Sequence, residues 1–356
     1  MRPRPAVAAM GAYVPGRSPR QAEADHGVSD AVKLASNENP YPPIPAVVDA
    51  VAAAASGVNR YGDPSASELR ARLADHLGVG IERVAVGCGS VGLLQQLCLA
   101  YLDPGDEVVT PWISFEAYPI LVQAMGATVV KVPLQHHAFD LDAVAAAVGP
   151  AAKMVMLATP NNPTGTALST ADIETLLGRI PEDVIVVVDE AYREFADPAL
   201  GDPVHDLASE FANVAVTRTF SKAYSMAGLR VGCMVAAPQV VAECHKVLLP
   251  FSVNAAAQAA AVAVLGHLEE TQSAIETLIS ERLRVVEAVR GLGVECPDSE
   301  GNFVWLPLRE RAAYAGLAME RMGVITRVFA GEGIRVTIGT PAENDRFLAA
   351  LAAALG

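Results

Sequence analysis

Lysine is scarce in this chain, with only five in 356 residues: Lys33, Lys131, Lys153, Lys222 and Lys246. Basic residues as a whole fall short of acidic ones, and the formal net charge of −14 excludes nucleic acid and anionic membrane as bulk partners. A local group of arginines could still hold a small anion. No uninterrupted apolar run approaches the ~18–20 residues that a membrane span needs, and the stretch after Met1-Arg2-Pro3-Arg4-Pro5 is too short for a signal-peptide core. Cysteine is sparse as well. Cys88, Cys98, Cys233, Cys244 and Cys296 show neither C-x-x-C nor paired zinc spacing, which points to reduced, buried thiols and to no metal site. What remains is a soluble, acidic, cytoplasmic protein. Its hydrophobic content of 52%, mostly alanine and valine, suffices for a large core and a second, smaller domain.

The apolar pattern divides the chain in three. Residues 1–30 are rich in proline, glycine and charge and read as an N-terminal arm, ordered only by packing on something else. Residues 31–254 alternate between short apolar runs and helical patterns. Strands are expected at 84–86, 107–109, 128–132, 154–157, 184–188, 214–217 and 232–236, and helices at 45–57, 67–78, 91–101, 114–125, 141–148 and 170–179. Short apolar strands between helices predict an α/β fold with a mostly parallel sheet, covered by helices on both faces. Residues 255–356 change character, with helices at 255–270 and 274–292, strands at 303–306 and 335–338, and a last helix from 343. They predict a smaller α+β C-terminal domain.

In a parallel sheet, ligands bind beyond the carboxyl ends of the strands. Four expected strands end in chemically versatile residues. The 214–217 strand leads to Thr219-Phe220-Ser221-Lys222, the only lysine set among hydroxyls at a strand-to-loop edge, with Arg230 eight residues on. An amine desolvated there becomes a nucleophile; taken alone, Lys222 reads as an ordinary surface lysine on a loop, and only partners from other stretches change that reading. The 184–188 strand leads to Asp189-Glu190-Ala191-Tyr192, and the 154–157 strand to Pro160-Asn161-Asn162-Pro163-Thr164-Gly165. The 84–86 strand runs into Gly87-Cys88-Gly89-Ser90-Val91-Gly92. This matches G-x-G-x-x-G, but the acids Asp103, Asp106 and Glu107 precede the next strand instead of ending it, so a dinucleotide site is disfavoured. A phosphate cradle of backbone N–H groups at a helix start suits the loop better. Thr219-Phe220-Ser221-Lys222 matches S-x-x-K only loosely, with threonine where the nucleophile belongs.

Together with Asn37-Glu38-Asn39-Pro40 and Arg335-Val336-Thr337-Ile338-Gly339, these segments resemble the fold-type I pyridoxal-phosphate enzymes, specifically the class I/II aminotransferases, in the family's order from about Lys33 to the C-terminus. Within that family the chain is most similar to the histidinol-phosphate aminotransferase branch and its actinobacterial aromatic-amino-acid members. The resemblance implies a pyridoxal 5'-phosphate cofactor held as a Schiff base on Lys222, which then carries the proton between substrate and cofactor. It implies that Asp189 pairs with the pyridine nitrogen, and that Asn162 and Tyr192 bond the ring's phenolate oxygen. Gly89, Ser90, Thr219, Ser221 and Arg230 are implied to bind the phosphate, Trp112 to lie on the ring, and Tyr61 to reach the cofactor of a second subunit in a homodimer with shared sites. On the substrate side it implies Arg335 for the α-carboxylate, Arg327 as a second anion position, Asn37 and Asn162 beside it, and Tyr13 of the arm closing over the partner's substrate.

Two departures bear on substrate. Cys88 and Gly89 stand where many histidinol-phosphate enzymes carry alanine, aspartate and glutamate, and Trp112 replaces a usual tyrosine. The expectation is therefore transfer of an amino group between an aromatic L-amino acid and a 2-oxo acid. The alternatives are histidinol phosphate as substrate, a decarboxylase of a phosphorylated amino acid, and a non-catalytic binding module on the same fold.

Overall fold

The computed structural model describes residues 1–12 and 16–356. Tyr13 lies outside the described residues. A central sheet of seven strands has the order β2-β8-β7-β6-β5-β3-β4. Its members are β2 (Val84–Gly87), β3 (Glu107–Trp112), β4 (Thr128–Pro133), β5 (Ala152–Ala158), β6 (Ile185–Asp189), β7 (Val214–Thr219) and β8 (Gly232–Ala236). Strands β3 to β7 pair in parallel, while β8 runs antiparallel to both β2 and β7. Strand β2 therefore points the same way as β7, and its end shares their rim.

Period-two alternation sorts the strand side chains between two cores. Val109, Val155, Leu157, Val186, Val188, Val214 and Val216 face one core, with Leu69, Leu73, Ile173 and Leu176 from the covering helices. Val108, Met154, Met156, Ile185, Val187 and Ala215 face the other, with Leu93, Leu97, Tyr118 and Val122. Burial on both faces is what a near-continuous apolar run requires, and the α/β expectation is met.

A second, smaller sheet has the order β1-β10-β11-β9. It contains β9 (Phe303–Leu306), β10 (Val324–Phe329) and β11 (Gly333–Thr337), joined by β1 (Val32–Leu34), which pairs in parallel with β10. The core against it includes Val285, Val289, Phe303, Met319, Ile334, Val336, Phe347 and Leu351. The expected helices of this part divide differently, at Ala255–Leu265 and Leu268–Gly291, because Gly266 ends the first and His267 precedes the second. Strand β10 and the helix Ala312–Arg321 were not anticipated from the pattern.

The arm carries more structure than its composition suggests. A helix Pro19–His26 is closed at its start by a Ser18/Gln21 capping box and at its end by Gly27 in the left-handed region. Ala22 on this helix is buried with Ala35 and Ile325, which fixes the arm's end to the smaller sheet. Among the described residues, no helix is long and apolar enough to cross a membrane.

Candidate active site

The carboxyl ends of β2, β5, β6 and β7 open on one cleft of about 240 Å³. Its lining includes Ser90, Asn162, Asp189, Tyr192, Thr219, Ser221, Lys222, Arg230, Arg327 and Arg335. Register explains part of this convergence. Asp189 ends β6 directly opposite Thr217 of β7 and Ala158 of β5, so its carboxylate stands over the middle of the sheet. It is 3% exposed and accepts hydrogen bonds from the Thr217 hydroxyl at 3.0 Å and the Tyr118 hydroxyl at 2.9 Å. Burial nevertheless dominates and pushes its pKa up to about 6, against the lowering effect of those bonds. Glu190, next in the chain, points elsewhere and pairs with Arg218, which also holds Asp202.

Lys222 lies three residues past the end of β7, half-buried, and its amine donates to the Ser36 carbonyl at 3.0 Å. Burial, and then the positive charge of Arg335, lowers its pKa to about 7; Glu38 opposes this. An amine in this state is available as a nucleophile and base near neutral pH.

Beside it the chain builds an anion cradle. Arg230 donates to Ser221 Oγ at 3.1 Å, and Thr219 Oγ1 donates to the same oxygen at 3.0 Å. The helix Gly89–Tyr101 begins at this spot, bringing its unpaired N-terminal N–H groups. Two glycines are required. Gly89 has φ +71°, and a Cβ there would meet Arg230 Nη2 at 2.5 Å; a Cβ on Gly232 would meet the Ser90 nitrogen at 2.5 Å. Only without side chains can the guanidinium and the helix start come this close.

The opposite wall comes from the smaller sheet. Arg335 of β11, 7% exposed, donates to Asn162 Oδ1 and to the Ala35 carbonyl, both at 2.5 Å. Arg327 of β10 holds Glu116. Tyr192 accepts from the Asn37 amide at 2.9 Å and packs edge-on against Phe303.

Trp112 and Asn37 are not among the residues that line the cleft, and Tyr61 faces outward. The Trp112 ring lies against Lys131, whose Nζ is 3.9 Å from the ring centroid. Phe115, three residues on, lines the cleft instead. Asn37 is fully buried behind Tyr192, held by Thr337, and orients that phenol instead of lining the cavity. Tyr61 is 82% exposed and stacks on Phe251 with ring centroids 4.4 Å apart, outside this chain's own cleft. The pattern also missed Tyr118, Thr217, Phe115 and Glu116. The interleaved Phe115 and Tyr118 after β3 carried a faint signal; Thr217 carried none without the register. Of the cysteines, four are buried and Cys88 is exposed, where burial was expected for all. Among the described residues, no group of histidine, cysteine and carboxylate side chains is arranged to hold a metal.

The family profile described as "Aminotransferase class I and II" matches residues 29–351. An aromatic amino acid aminotransferase of Thermobifida fusca (strain YX) is 50% identical over 319 residues, covering 89% of each chain. One from Streptomyces coelicolor is 48% identical over 338 residues, covering 94% of this chain and 92% of the other. Among solved structures, the histidinol-phosphate aminotransferase from Sinorhizobium meliloti in complex with pyridoxal-5'-phosphate superposes with a TM-score of 0.90 at 29% identity, over 99% of this chain and 97% of that one. The chain belongs to the class I and II aminotransferases.

Proposed function

We propose that this aminotransferase uses pyridoxal 5'-phosphate to move an amino group between an aromatic L-amino acid and a 2-oxo acid, in the cytoplasm, as a homodimer. The observation that carries the cofactor assignment is the meeting of three groups in one cleft: the Lys222 amine, the buried Asp189 carboxylate and the Gly89–Arg230 anion cradle. These are the groups that an aldehyde, a protonated pyridine nitrogen and a phosphate ask for. The aromatic substrate rests on the names of relatives at 48–50% identity.

When bound, pyridoxal phosphate supplies an aldehyde that takes up an amino group and a ring that accepts electrons. Lys222 would hold the aldehyde end, and its amine would move a proton at the substrate's Cα. Asp189 would keep a proton on the ring nitrogen. Its raised pKa is the measure of what burial costs it, and a cationic partner there removes that cost. Asn162 and Tyr192 would bond the ring oxygen, and Tyr192 is kept in place by Asn37. Arg230, Ser221, Thr219 and the amides of Gly89 and Ser90 would take the phosphate. Arg335 orients the α-carboxylate through its planar fork, and Phe115 presents an apolar wall. A second copy of the chain is supported by the exposed apolar group of Tyr61, Phe251, Leu249 and Val58, from which Tyr61 would reach the partner's site.

Turnover of phenylalanine against that of histidinol phosphate, with the same 2-oxo acid acceptor, tests the reading. Phenylalanine is expected to have the higher kcat/KM, and a protein loaded with pyridoxal phosphate is expected to lose its yellow absorbance on adding it. The converse preference would replace this substrate with histidinol phosphate, as the name of the Sinorhizobium meliloti structure suggests. A protein that takes up no pyridoxal phosphate would overturn the assignment altogether.

A further inference from the structure

Arg327 and Arg335 stand directly opposite each other across the antiparallel pair β10 and β11. Opposed residues project from the same face of a sheet, and like charges so placed repel. Both arginines line the cleft. The residue that relieves this is Glu116, which comes from the other side of the cleft, just ahead of the helix Ala117–Met125. Its carboxylate makes no cap to that helix. Both of its oxygens go to Arg327: Nη2 donates to Oε1 at 2.8 Å and to Oε2 at 2.7 Å, and Nε donates to Oε2 at 3.1 Å. The Glu116 side chain is 35% exposed and that of Arg327 13%, so solvent screens the pair only in part. The other carboxylates at the cleft are engaged elsewhere, Glu38 with Lys33 and Asp189 with Tyr118 and Thr217.

We propose that Glu116 sets the substrate class of this site: by occupying the Arg327 fork it refuses a phosphate monoester at the far end of the substrate and admits a neutral aromatic side chain. A guanidinium fork matches phosphate as well as carboxylate, so Arg327 with its fork open would be a phosphate subsite. With Glu116 on it, a phosphate dianion meets a carboxylate at the place where it would otherwise find a cation. The inference rests on the proposed reading of the cleft as an amino-acid site, and it deepens that reading by naming the residue that separates the aromatic from the phosphorylated substrate.

The test uses the pyridoxal-phosphate-loaded protein as wild type, as Glu116→Gln and as the double variant Glu116→Gln/Arg327→Gln. Glutamine keeps the size of the side chain but adds one net positive charge to this end of the cleft. Two ratios are read. The first is kcat/KM for histidinol phosphate over that for phenylalanine; the second is the inhibition constant of 3-phenylpropionate over that of phenyl phosphate. Both are expected to rise at least 10-fold in Glu116→Gln and to return towards the wild-type value in the double variant. Because Glu116 and Arg327 also tie the segment after β3 to the smaller sheet, a merely structural pair would weaken all four compounds alike, and ratios that stay within about 2-fold of wild type overturn the proposal while leaving the aromatic reading in place. A wild-type protein that already prefers histidinol phosphate to phenylalanine overturns both.

Discussion

Replacing Asp189 with asparagine should make the cofactor-free protein more stable and the loaded enzyme far slower. The carboxylate is 3% exposed, and burial lifts its pKa from 3.8 to about 6 despite two hydroxyl donors. At about 1.4 kcal/mol per pKa unit, ionised Asp189 costs the fold about 3 kcal/mol. The sign follows from proton binding. Between pH 3.8 and about 6 the folded state holds the proton more tightly than the unfolded chain, so stability is full below this window and is lost as pH rises through it. Asparagine carries no charge, and its amide can turn its oxygen to Thr217 and its NH2 to the Tyr118 oxygen. The Tyr118 proton then loses its acceptor, a loss of about 1–3 kcal/mol at worst. The cofactor-free variant at pH 7.5 therefore gains up to about 2 kcal/mol, read by urea denaturation, and the difference should move against it as pH falls to 4. Turnover of the loaded variant should fall by about 10²–10³-fold, since the ring nitrogen loses its anion. A stability difference indifferent to pH would refute the claim that Asp189 is a strained carboxylate waiting for a cation.

Two further outcomes test the amine and the cradle. Capture of pyridoxal phosphate by the cofactor-free protein, trapped with borohydride, should rise with pH about a midpoint near 7, because the neutral amine of Lys222 is the reacting form; Lys222→Ala should give no trapped adduct, and a rate still climbing at pH 9 would place the amine among ordinary lysines. Gly89→Ala puts a Cβ at φ +71° and 2.5 Å from the Arg230 guanidinium. Strain of about 1–2 kcal/mol and a displaced Arg230 should weaken retention of pyridoxal phosphate about 10-fold or more with far-UV circular dichroism unchanged, and undiminished retention would remove Gly89 from the cradle.

The legible parts of this chain were those governed by local rules. Runs such as Val184-Ile185-Val186-Val187-Val188 can satisfy two buried faces only as interior strands, and they lie where expected. The rule that parallel strands present their carboxyl ends to a ligand then brought Lys222, Asp189, Asn162 and the Gly89 loop to one rim without any coordinates. The less legible parts depended on partners distant in sequence. Strand β10 alternates weakly and becomes a strand through pairing with both β1 and β11. The contact of Trp112 with Lys131 likewise depends on the pairing of β3 with β4.

By itself the sequence determined the α/β alternation, the acidic charge balance and the set of reactive residues at the strand ends, because each follows from hydrophobic period, charge count or loop chemistry read within a few residues. Only the tertiary structure decided which of those residues act on one another. Thr217 reaches Asp189 through strand register, Asn37 reaches Tyr192 across 155 residues, and Glu116 reaches Arg327 across 211. Such pairings are set by how two sheets and their covering helices pack, and no local pattern encodes them.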